Sequence, residues 1–560
     1  MPYQAQPAFN NGVGKTGVFL IPSDHPGATP TMVTSSAIPQ GDIGYYPAAT
    51  LQEYLTGGDG TISATVVSNA YYVIADGSAN HLYRLDLRDT SSVPSPVEVG
   101  LPPTPVSSPC SMAVFEQTLN SPSSAVILLK AGGTDGKCTT SSDNVVYLYH
   151  AGDAAGVAPT VTPIASTSNF QSTATPVNDP STGNLAGLVY IDAHQNLSFS
   201  DLSFATPKIL VTGATAFSLI YSSTGYAFFE VLTPGKNSLY RVSSTGAISN
   251  DLYDFQPTSQ TTRAIADPAS GYLWLEDSAG DFDANFYETS YKVQIARLPI
   301  SGSAVAQLIY SASGTLAPNF YGLMEAYPVG VVGSSFIFEF QSFGFQEGTP
   351  AEPATMYALP VNAATGTSPT TIASLPLGWF GGNQIANDQL FVNVHIVDGA
   401  NSNGTGSSVE VLNASGAVLK NFQSSLLEGW PTAVGGTPLA PQLSRPVIYV
   451  AEGYTASTSP NDAGGATVYA LSTFSTLGQV PLTVPGGGNY VLANREQPSL
   501  ISDGPAVFAA FEFTGSPLTT AVGVLDVLQN QWTAIANPAN TGQRPFTEAG
   551  PGFGPAGSGL

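Results

Sequence analysis

The sequence is short of charged residues and contains no long apolar run. Charged residues make up 10% of the 560 positions, against about 25% in an ordinary soluble domain. Surface helices usually carry Lys and Glu, so this shortage predicts few helices. No stretch approaches the ~20 apolar residues that a membrane-spanning helix needs. The sequence therefore predicts no membrane span.

Basic residues are the scarcest charged class. Lys and Arg together number 15 against 39 Asp and Glu, which gives a formal net charge of −24. Such a chain repels a phosphate backbone, so nucleic acid is not an expected partner. Anionic membrane surfaces are disfavoured for the same reason, whereas neutral glycans, cations and basic proteins remain compatible. We expect a monomer.

Glycine, proline and aromatic residues are plentiful. The chain has 58 Gly and 44 Pro, which punctuate short apolar runs, together with 27 Phe and 25 Tyr. Runs rich in Val, Tyr, Phe and Thr between turn residues are typical of short strands. The composition predicts an all-β fold.

A hairpin pattern repeats along the chain. Its first strand recurs at Tyr71 to Ala75, Ala125 to Leu129, Tyr226 to Glu230, Tyr272 to Leu275, Phe336 to Phe340, Leu390 to Val394, Val447 to Val450 and Val507 to Phe511. Its second strand recurs at Leu82 to Leu85, Val146 to Tyr149, Leu239 to Val242, Ile295 to Leu298, Met356 to Leu359, Val409 to Leu412, Val468 to Leu471 and Val522 to Leu525. A third apolar segment follows, as at Lys208 to Val211, Ala306 to Tyr310, Thr371 to Leu375, Val418 to Phe422 and Trp532 to Ala536.

These units begin about 40 to 60 residues apart, the size of a four-stranded propeller blade. The chain resembles the β-propeller superfamily over nearly its whole length, and about eight blades are expected, with seven or nine as alternatives. A half-unit at Gly17 to Ile21 and Thr31 to Ser35 is expected to close the ring. The predicted propeller spans residues 17–540, between an N-terminal extension, 1–16, and a flexible tail, 541–560. A β-sandwich and a β-helix are the structural alternatives.

The resemblance implies a fold and no activity. Quinoprotein propeller dehydrogenases, which use PQQ, carry regular tryptophan motifs, whereas this chain has four Trp. Haem-linked propeller reductases need Cys-x-x-Cys-His, which is absent, as are a Walker loop, a dinucleotide fingerprint and a zinc motif. No haem, PQQ, nucleotide or zinc site is expected.

Long connections between the second strand (B) and third strand (C) of a blade would lie on one face of a propeller. The sequence suggests such B–C loops at Ala131 to Asp143, Glu276 to Ser290, Gln341 to Thr355, Ile396 to Ser408 and Glu452 to Ala466. Loops of this length are usually functional or disordered, so a site is expected on this face.

The two cysteines would fall on the same face. Cys110 precedes an inner strand and Cys138 lies in the B–C loop of that unit. A disulfide between them would add ~3 kcal/mol of stability and fits an oxidising compartment; two free thiols are the alternative. Together with the composition, such a disulfide predicts an extracellular, periplasmic or cell-surface protein whose export signal has been removed.

The most polar of these loops suggests a calcium site. Asp281, Asp283, Asn285 and Glu288 offer oxygen ligands, the chemistry that Ca²⁺ prefers, although the spacing is not that of an EF-hand. A solvated acidic turn is the alternative interpretation.

Aromatic residues in or beside the loops suggest a carbohydrate ligand, because sugars stack on exposed rings. The candidates are Tyr287, Tyr291, Phe343, Phe345 and Tyr454, each of which could instead pack between blades. The leading hypothesis is an exported, non-enzymatic propeller that binds a glycan or a protein through this face.

Two other functions remain open. A carbohydrate-active hydrolase or lyase would use carboxylates and histidines at the channel mouth, for which the candidates are Glu276, Asp281, Asp283, Glu452, His81, His194 and His395. The other is a structural role at the cell surface or in adhesion, in which the calcium loop would stabilise the ring instead of serving chemistry.

Overall fold

A computed structural model describes residues 174–316, 323–343, 353–398, 401–423 and 473–479, apart from residues 180, 183, 193, 224, 258, 268, 303, 377 and 387. Outside these ranges it gives the course of strands alone. The described residues form strands and turns, and none of them builds a helix of the length and apolar character that crossing a membrane requires. This agrees with the all-β prediction.

The strands follow one another in the order of the chain. The first are β1 (Pro2–Ala5), β2 (Thr16–Leu20), β3 (Thr31–Ser36), β4 (Ala48–Ala49), β5 (Tyr54–Leu55), β6 (Ile62–Ser63), β7 (Asn69–Ala75), β8 (Asn80–Asp86) and β9 (Val97–Glu98). Next come β10 (Pro109–Glu116), β11 (Ser124–Ala131), β12 (Asn144–His150), β13 (Thr160–Ser166), β14 (Thr175–Asn178), β15 (Leu185–Ile191), β16 (Asn196–Asp201) and β17 (Lys208–Thr212).

The central strands are β18 (Ala216–Ser223), β19 (Tyr226–Thr233), β20 (Lys236–Ser243), β21 (Ile248–Asp254), β22 (Ser259–Asp267), β23 (Tyr272–Phe282), β24 (Glu288–Pro299), β25 (Gln307–Thr315), β26 (Leu323–Val332), β27 (Ser335–Phe343), β28 (Ala354–Pro360) and β29 (Thr370–Leu375). The last are β30 (Gly378–Ala386), β31 (Gln389–Asp398), β32 (Asn401–Leu412), β33 (Val418–Gln423), β34 (Val434–Gly435), β35 (Val447–Glu452), β36 (Gly465–Ala470), β37 (Thr476–Gln479), β38 (Tyr490–Leu492), β39 (Leu500–Asp503), β40 (Ala506–Phe513), β41 (Thr519–Asp526) and β42 (Gln531–Ile535).

Most strands form four-stranded antiparallel sheets in which sequence neighbours pair. The sheets β10–β13, β14–β17, β18–β21, β22–β25, β26–β29, β30–β33 and β34–β37 all follow this order. The predicted hairpins are confirmed as the second and third strands in the order of their sheets, although several strands extend beyond the predicted segments, by up to eight residues at one end. The pattern did not single out hairpin β15–β16, which belongs to the sheet β14–β17.

Two predicted B–C loops are wrong. The segment Glu276 to Ser290 is mostly strand, because β23 continues to Phe282 and β24 begins at Glu288. In the segment Ile396 to Ser408, β31 continues to Asp398 and β32 begins at Asn401, and residues 399–400 lie outside the described residues. Backbone pairing sets the length of these hairpins, and it proceeds through polar side chains as readily as through apolar ones. A prediction of loops from the polarity of the side chains therefore gave the wrong strand ends.

The middle strands are buried on both of their faces. On β19, Phe228 and Phe229 are adjacent and both fully buried, and they enter two different cores. Phe229 packs with Val189 and Leu197 of the preceding sheet, whereas Phe228 packs with Leu275 of the following sheet. Burying such side chains stabilises the fold by ~1.5–3 kcal/mol each.

The same arrangement continues in the next two sheets. Trp274 of β23 stacks on Phe336 of β27, with ring centroids 4.0 Å apart. Ile337, the next residue on β27, packs instead with Val392 of β31. Fourth strands such as β17 and β29 are mostly exposed or half-buried. Each sheet therefore lies face to face between its two neighbours in sequence, with its last strand outermost.

The first strands of successive sheets contact one another, and side chains from one sheet bond to the free edge of the next. Gln341 of β27 exchanges two 3.1 Å hydrogen bonds with the backbone of Phe380 in β30. Ser278 of β23 accepts from the amide of Ala326 in β26 at 3.3 Å. These bonds satisfy edge groups that would otherwise be buried without partners.

Sequential four-stranded meanders that stack face to face, with their first strands converging, make this chain a β-propeller. The number of blades and the closure of the ring stay predictions. At the N-terminus, β1 pairs with β2 and β2 with β3, so these strands form a sheet of their own. The predicted boundaries at residues 16 and 540 are not tested.

Candidate functional site

The end of hairpin β23–β24 is an ordered turn. Residues Asp283 to Tyr287 connect the two strands, and the amide of Phe286 donates to the Asp283 carbonyl at 3.1 Å. The Asp283 carboxylate accepts from the amides of Asn285 and Tyr287 at 2.7 and 3.0 Å. An Asp side chain that bonds to the following amides organises a turn from within. The loop end is therefore defined by its own hydrogen bonds.

Phe286 is both strained and exposed in this turn. Its φ of +64° lies in the left-handed region, which costs a residue with a Cβ roughly 1–2 kcal/mol. Its side chain is 77% exposed, and none of the described large apolar side chains is more exposed. Phe282, at the end of β23, is 38% exposed. The hairpin therefore presents two aromatic rings to solvent without packing that would offset the strain.

The aromatic residues chosen from the sequence have different environments. Tyr287 is half-buried in the turn. Tyr291 packs in the core, with its ring centroid 5.7 Å from that of Phe340, so it has the structural role that was the alternative interpretation. Phe343 lies at the end of β27, but its side chain, Phe345 and Tyr454 lie outside the described residues.

The four predicted calcium ligands are not brought together. Asp281 is exposed and accepts from the Ser290 hydroxyl at 2.7 Å, and Asp283 bonds to its own turn. Asn285 is exposed, whereas Glu288 is buried and accepts from the amide of Met324 at 2.9 Å. No group of three or more His, Cys, Asp or Glu residues in the described part of the chain is placed to hold a metal ion. Calcium binding here stays a prediction.

Glu276 belongs to a buried ionic cluster between the sheets β22–β25 and β26–β29. Its carboxylate is fully buried and lies 3.8 Å from the Arg263 guanidinium, which also contacts Glu325 of the next sheet at 3.1 Å. The guanidinium lies 3.6 Å from the ring centroid of Tyr327. Arg263 therefore connects two carboxylates from neighbouring sheets across the innermost strands.

Burial raises the pKa of several carboxyl groups in this region. The pKa of Glu276 lies well above its ordinary value because the group is desolvated, although the Ser278 hydroxyl and Arg263 oppose the shift. Burial also raises the pKa of Asp277. For Glu288, burial raises the pKa to about 7, and the negative charge of Glu325 adds to the effect. These groups retain protons at pH values where exposed carboxyls are ionised.

The carboxylates that were candidates for hydrolysis do not converge where the structure describes them. Glu276 and Asp281 lie five residues apart on one regularly paired strand, so their side chains are on opposite faces of the sheet. Their Cα atoms are separated by roughly 16 Å at ~3.3 Å per residue. Asp283 is at the exposed turn. The hydrolase hypothesis gains no paired carboxylates from this hairpin.

The remaining predicted site residues are only partly described. His194 is exposed in the turn between β15 and β16, where its amide donates to Asp192 at 2.8 Å. His81 lies in β8, His395 in β31, Glu452 at the end of β35 and Cys110 in β10, but their side chains lie outside the described residues, as does Cys138 altogether. The histidine set and the disulfide stay predictions.

Sequence analysis missed Phe282, Phe286 and Arg263. Phe286 carries a usable signal, because Asp-x-x-Phe at a turn recurs at Asp201-Leu202-Ser203-Phe204. Arg263 has none for its contact with the next sheet, since Glu325 lies 62 residues away in the chain, whereas Glu276 is its cross-strand neighbour. Ionic clusters between sheets depend on how the sheets stack, which is not a property of any local pattern.

Comparison with known proteins yields likeness of fold alone. No protein-family model matches the chain, and no curated protein matches it. A puromycin-hydrolyzing peptidase of Mycobacterium tuberculosis is 12% identical, with 76% of this chain and 52% of that chain covered and a TM-score of 0.29; the chain thus spans about half of that protein. A eukaryotic initiation factor is 8% identical, with 83% of this chain and 96% of that chain covered and a TM-score of 0.43.

The β-propeller domain of the Trilobed protease from Pyrococcus furiosus is also similar. It is 10% identical, with 65% of this chain and 96% of that chain covered and a TM-score of 0.28. At these low scores, the fold assignment depends on the strand order and sheet stacking described above. A likeness of fold places no activity on this chain.

Proposed function

We propose that this chain is a ligand-binding propeller, and that the end of hairpin β23–β24 holds a neutral carbohydrate against Phe286 and Phe282. The observation that carries the proposal is the conformation of Phe286, which is strained at a φ of +64° and 77% exposed. Strained residues that persist without packing are concentrated at functional sites. A bound ligand would supply the contacts that the protein itself does not.

The chemistry around the two rings favours a sugar. Pyranose rings stack on aromatic faces, and their hydroxyl groups bond to carboxylate and amide groups. Asp281, Asp283 and Asn285 are exposed at the same hairpin end. The net charge of −24 disfavours acidic polymers. A protein ligand would contact the same rings, and the test below distinguishes it from a sugar.

The test is an array of neutral glycans probed with the purified chain and two variants. Phe286→Asn removes the ring and keeps a residue that tolerates the left-handed region. Val305→Asn is the matched control, since Val305 is 63% exposed in the connection at the opposite end of the same sheet. We expect Phe286→Asn to weaken binding by roughly 5- to 100-fold, the loss of one stacked ring, and Val305→Asn to leave it unchanged.

Two results would contradict the proposal. Equal binding by the wild type and Phe286→Asn would exclude the hairpin as the site. A blank glycan array, combined with retention of an extracellular protein that Phe286→Asn loses, would replace the sugar by a protein ligand. The non-enzymatic role and the location outside the cytoplasm are parts of the same proposal, and chemical change in a bound oligosaccharide would overturn the former.

A further inference from the structure

A cleft opens at the end of the fold opposite to the hairpin end. It lies where the sheets β18–β21 and β22–β25 meet and has a volume of about 440 Å³. Its lining includes Tyr226, Arg241, Ser243, Ser244, Thr245 and Ser249. The walls are thus built from one guanidinium, one ring and several hydroxyl groups, with no acidic residue among them.

Arg241 is a buried cation without an acidic partner. The residue is 4% exposed, and its guanidinium lies 5.1 Å from the ring centroid of Tyr226. It donates to the Ile300 carbonyl and to the Ser249 hydroxyl, each at 3.1 Å. A guanidinium has five N–H donors, so these two bonds leave donors to spare. No carboxylate among the described residues is within ion-pair distance of Arg241.

The surroundings add hydroxyl donors and a second positive charge. Because the Ser249 hydroxyl oxygen accepts from Arg241, its own proton remains available to a ligand. The hydroxyl groups of Ser243 and Thr245 are 3.0 Å apart in the adjacent turn. Lys208 donates to the Gly246 carbonyl of that turn at 2.6 Å, and it too has no ion pair within the described residues.

The next sheet holds a second arginine at the same position, beside a larger cross-strand neighbour. Arg297 occupies the equivalent place on β24, where it stacks over Tyr272 at 4.5 Å and donates to the Val361 carbonyl. Its cross-strand neighbour is Gln307, which accepts from Arg297 at 3.2 Å and bonds to Thr365. The cross-strand neighbour of Arg241 is the much smaller Ser249.

Both arginines tie neighbouring sheets together, and Arg241 combines this role with a small cross-strand neighbour and a hydroxyl-lined cleft. We propose that the cleft binds a small oxyanion, a phosphate, sulfate or carboxylate group, with Arg241 as its main contact and Ser249 as a hydroxyl donor. Charge-assisted bonds to guanidinium are the strongest that such a group makes in a protein. This site is independent of the carbohydrate site.

The test is calorimetric titration of the full chain with inorganic phosphate, sulfate and acetate in separate arms, with chloride held constant. We expect saturable binding of at least one oxyanion below about 20 mM; the arm that binds most tightly identifies the class of anion. Ser249→Gln, which copies the Gln307 arrangement, should weaken binding by roughly 10- to 100-fold, as expected for losing a bond to a charged group.

A second variant keeps the proposal testable if Ser249→Gln does not fold. Thr245 is exposed in the turn, so Thr245→Glu should leave the fold intact while its charge repels the anion, and we expect a comparable loss. Phe286→Asn should bind the oxyanion as the wild type does, so that failure here and failure of the carbohydrate proposal are distinguishable. Absence of saturable binding in all three arms, or equal binding by the wild type and Thr245→Glu, would overturn the assignment.

Discussion

Two turns in this propeller share one backbone arrangement and differ in what surrounds it. In the turns Asp201 to Phe204 and Asp283 to Phe286, the Phe amide donates to the Asp carbonyl at 3.1 Å. Each Asp carboxylate also accepts from the amide two residues later, at 3.0 Å in the first and 2.7 Å in the second. Both Phe residues have a positive φ, +51° and +64°.

The two rings have opposite environments. Phe204 is 7% exposed and contributes to the core, whereas Phe286 is 77% exposed. Burial of a Phe ring returns ~1.5–3 kcal/mol or more, which offsets the backbone strain at Phe204. No such gain is available at Phe286. The same local conformation is thus structural in one turn and, by the argument above, functional in the other.

The largest expected effect is at the buried ring. Phe204→Asn should lower the free energy of unfolding by about 3 kcal/mol or more, because it empties a packed site and buries an amide. Denaturation in urea, followed by tryptophan fluorescence, measures this change. A loss below about 1 kcal/mol would show that packing does not stabilise this turn, and the contrast between Phe204 and Phe286 would not hold.

The second-largest expected effect is on the pH dependence of stability, through Glu288 at the start of β24, next to the exposed turn. Burial raises the pKa of Glu288 to about 7, above its ordinary value near 4.5, so the folded state binds this proton more tightly than the unfolded chain does. The stability from this group is full below about pH 4.5 and is lost as the pH rises through about 7, by up to about 3 kcal/mol.

Glu288→Gln isolates that contribution, because Gln can still accept from the Met324 amide but does not titrate. Between about pH 5 and pH 8 the wild type should lose more stability than the variant does, as measured by urea midpoints at each pH. Glu276 and Asp277 titrate in both proteins, so their contributions cancel in the difference. Parallel pH profiles would show that Glu288 does not hold the base of the hairpin in the way its burial indicates.

The smallest expected effect on stability has the opposite sign. Phe286→Asn should raise the free energy of unfolding by about 0.5–1 kcal/mol, because Asn tolerates the left-handed region better than Phe does and no packing is lost. The same urea measurement checks this, alongside the glycan array. A destabilised variant would mean that the ring packs in solution, and the contrast with Phe204 would disappear.

Parts of the candidate site could be predicted from the sequence, and others could not. The segment Glu276 to Ser290 was identified as a polar, aromatic-bearing connection, and the exposed turn does lie within it. Its strand ends were misplaced, since backbone pairing carries β23 on to Phe282. Glu288 was taken as a metal ligand because it is an acidic residue near others, whereas it bonds to Met324 in the adjacent sheet.

The sequence by itself determined the all-β class, the repeated hairpins and the propeller, because short apolar runs and turn residues encode local pairing at a regular interval. Only the tertiary structure decided which polar residues are buried. Arg263 of one sheet bonds to Glu325 of the next, and Arg241 faces a cleft where two sheets meet. These contacts form between sheets, and the sequence of one strand does not specify which sheet will pack against it.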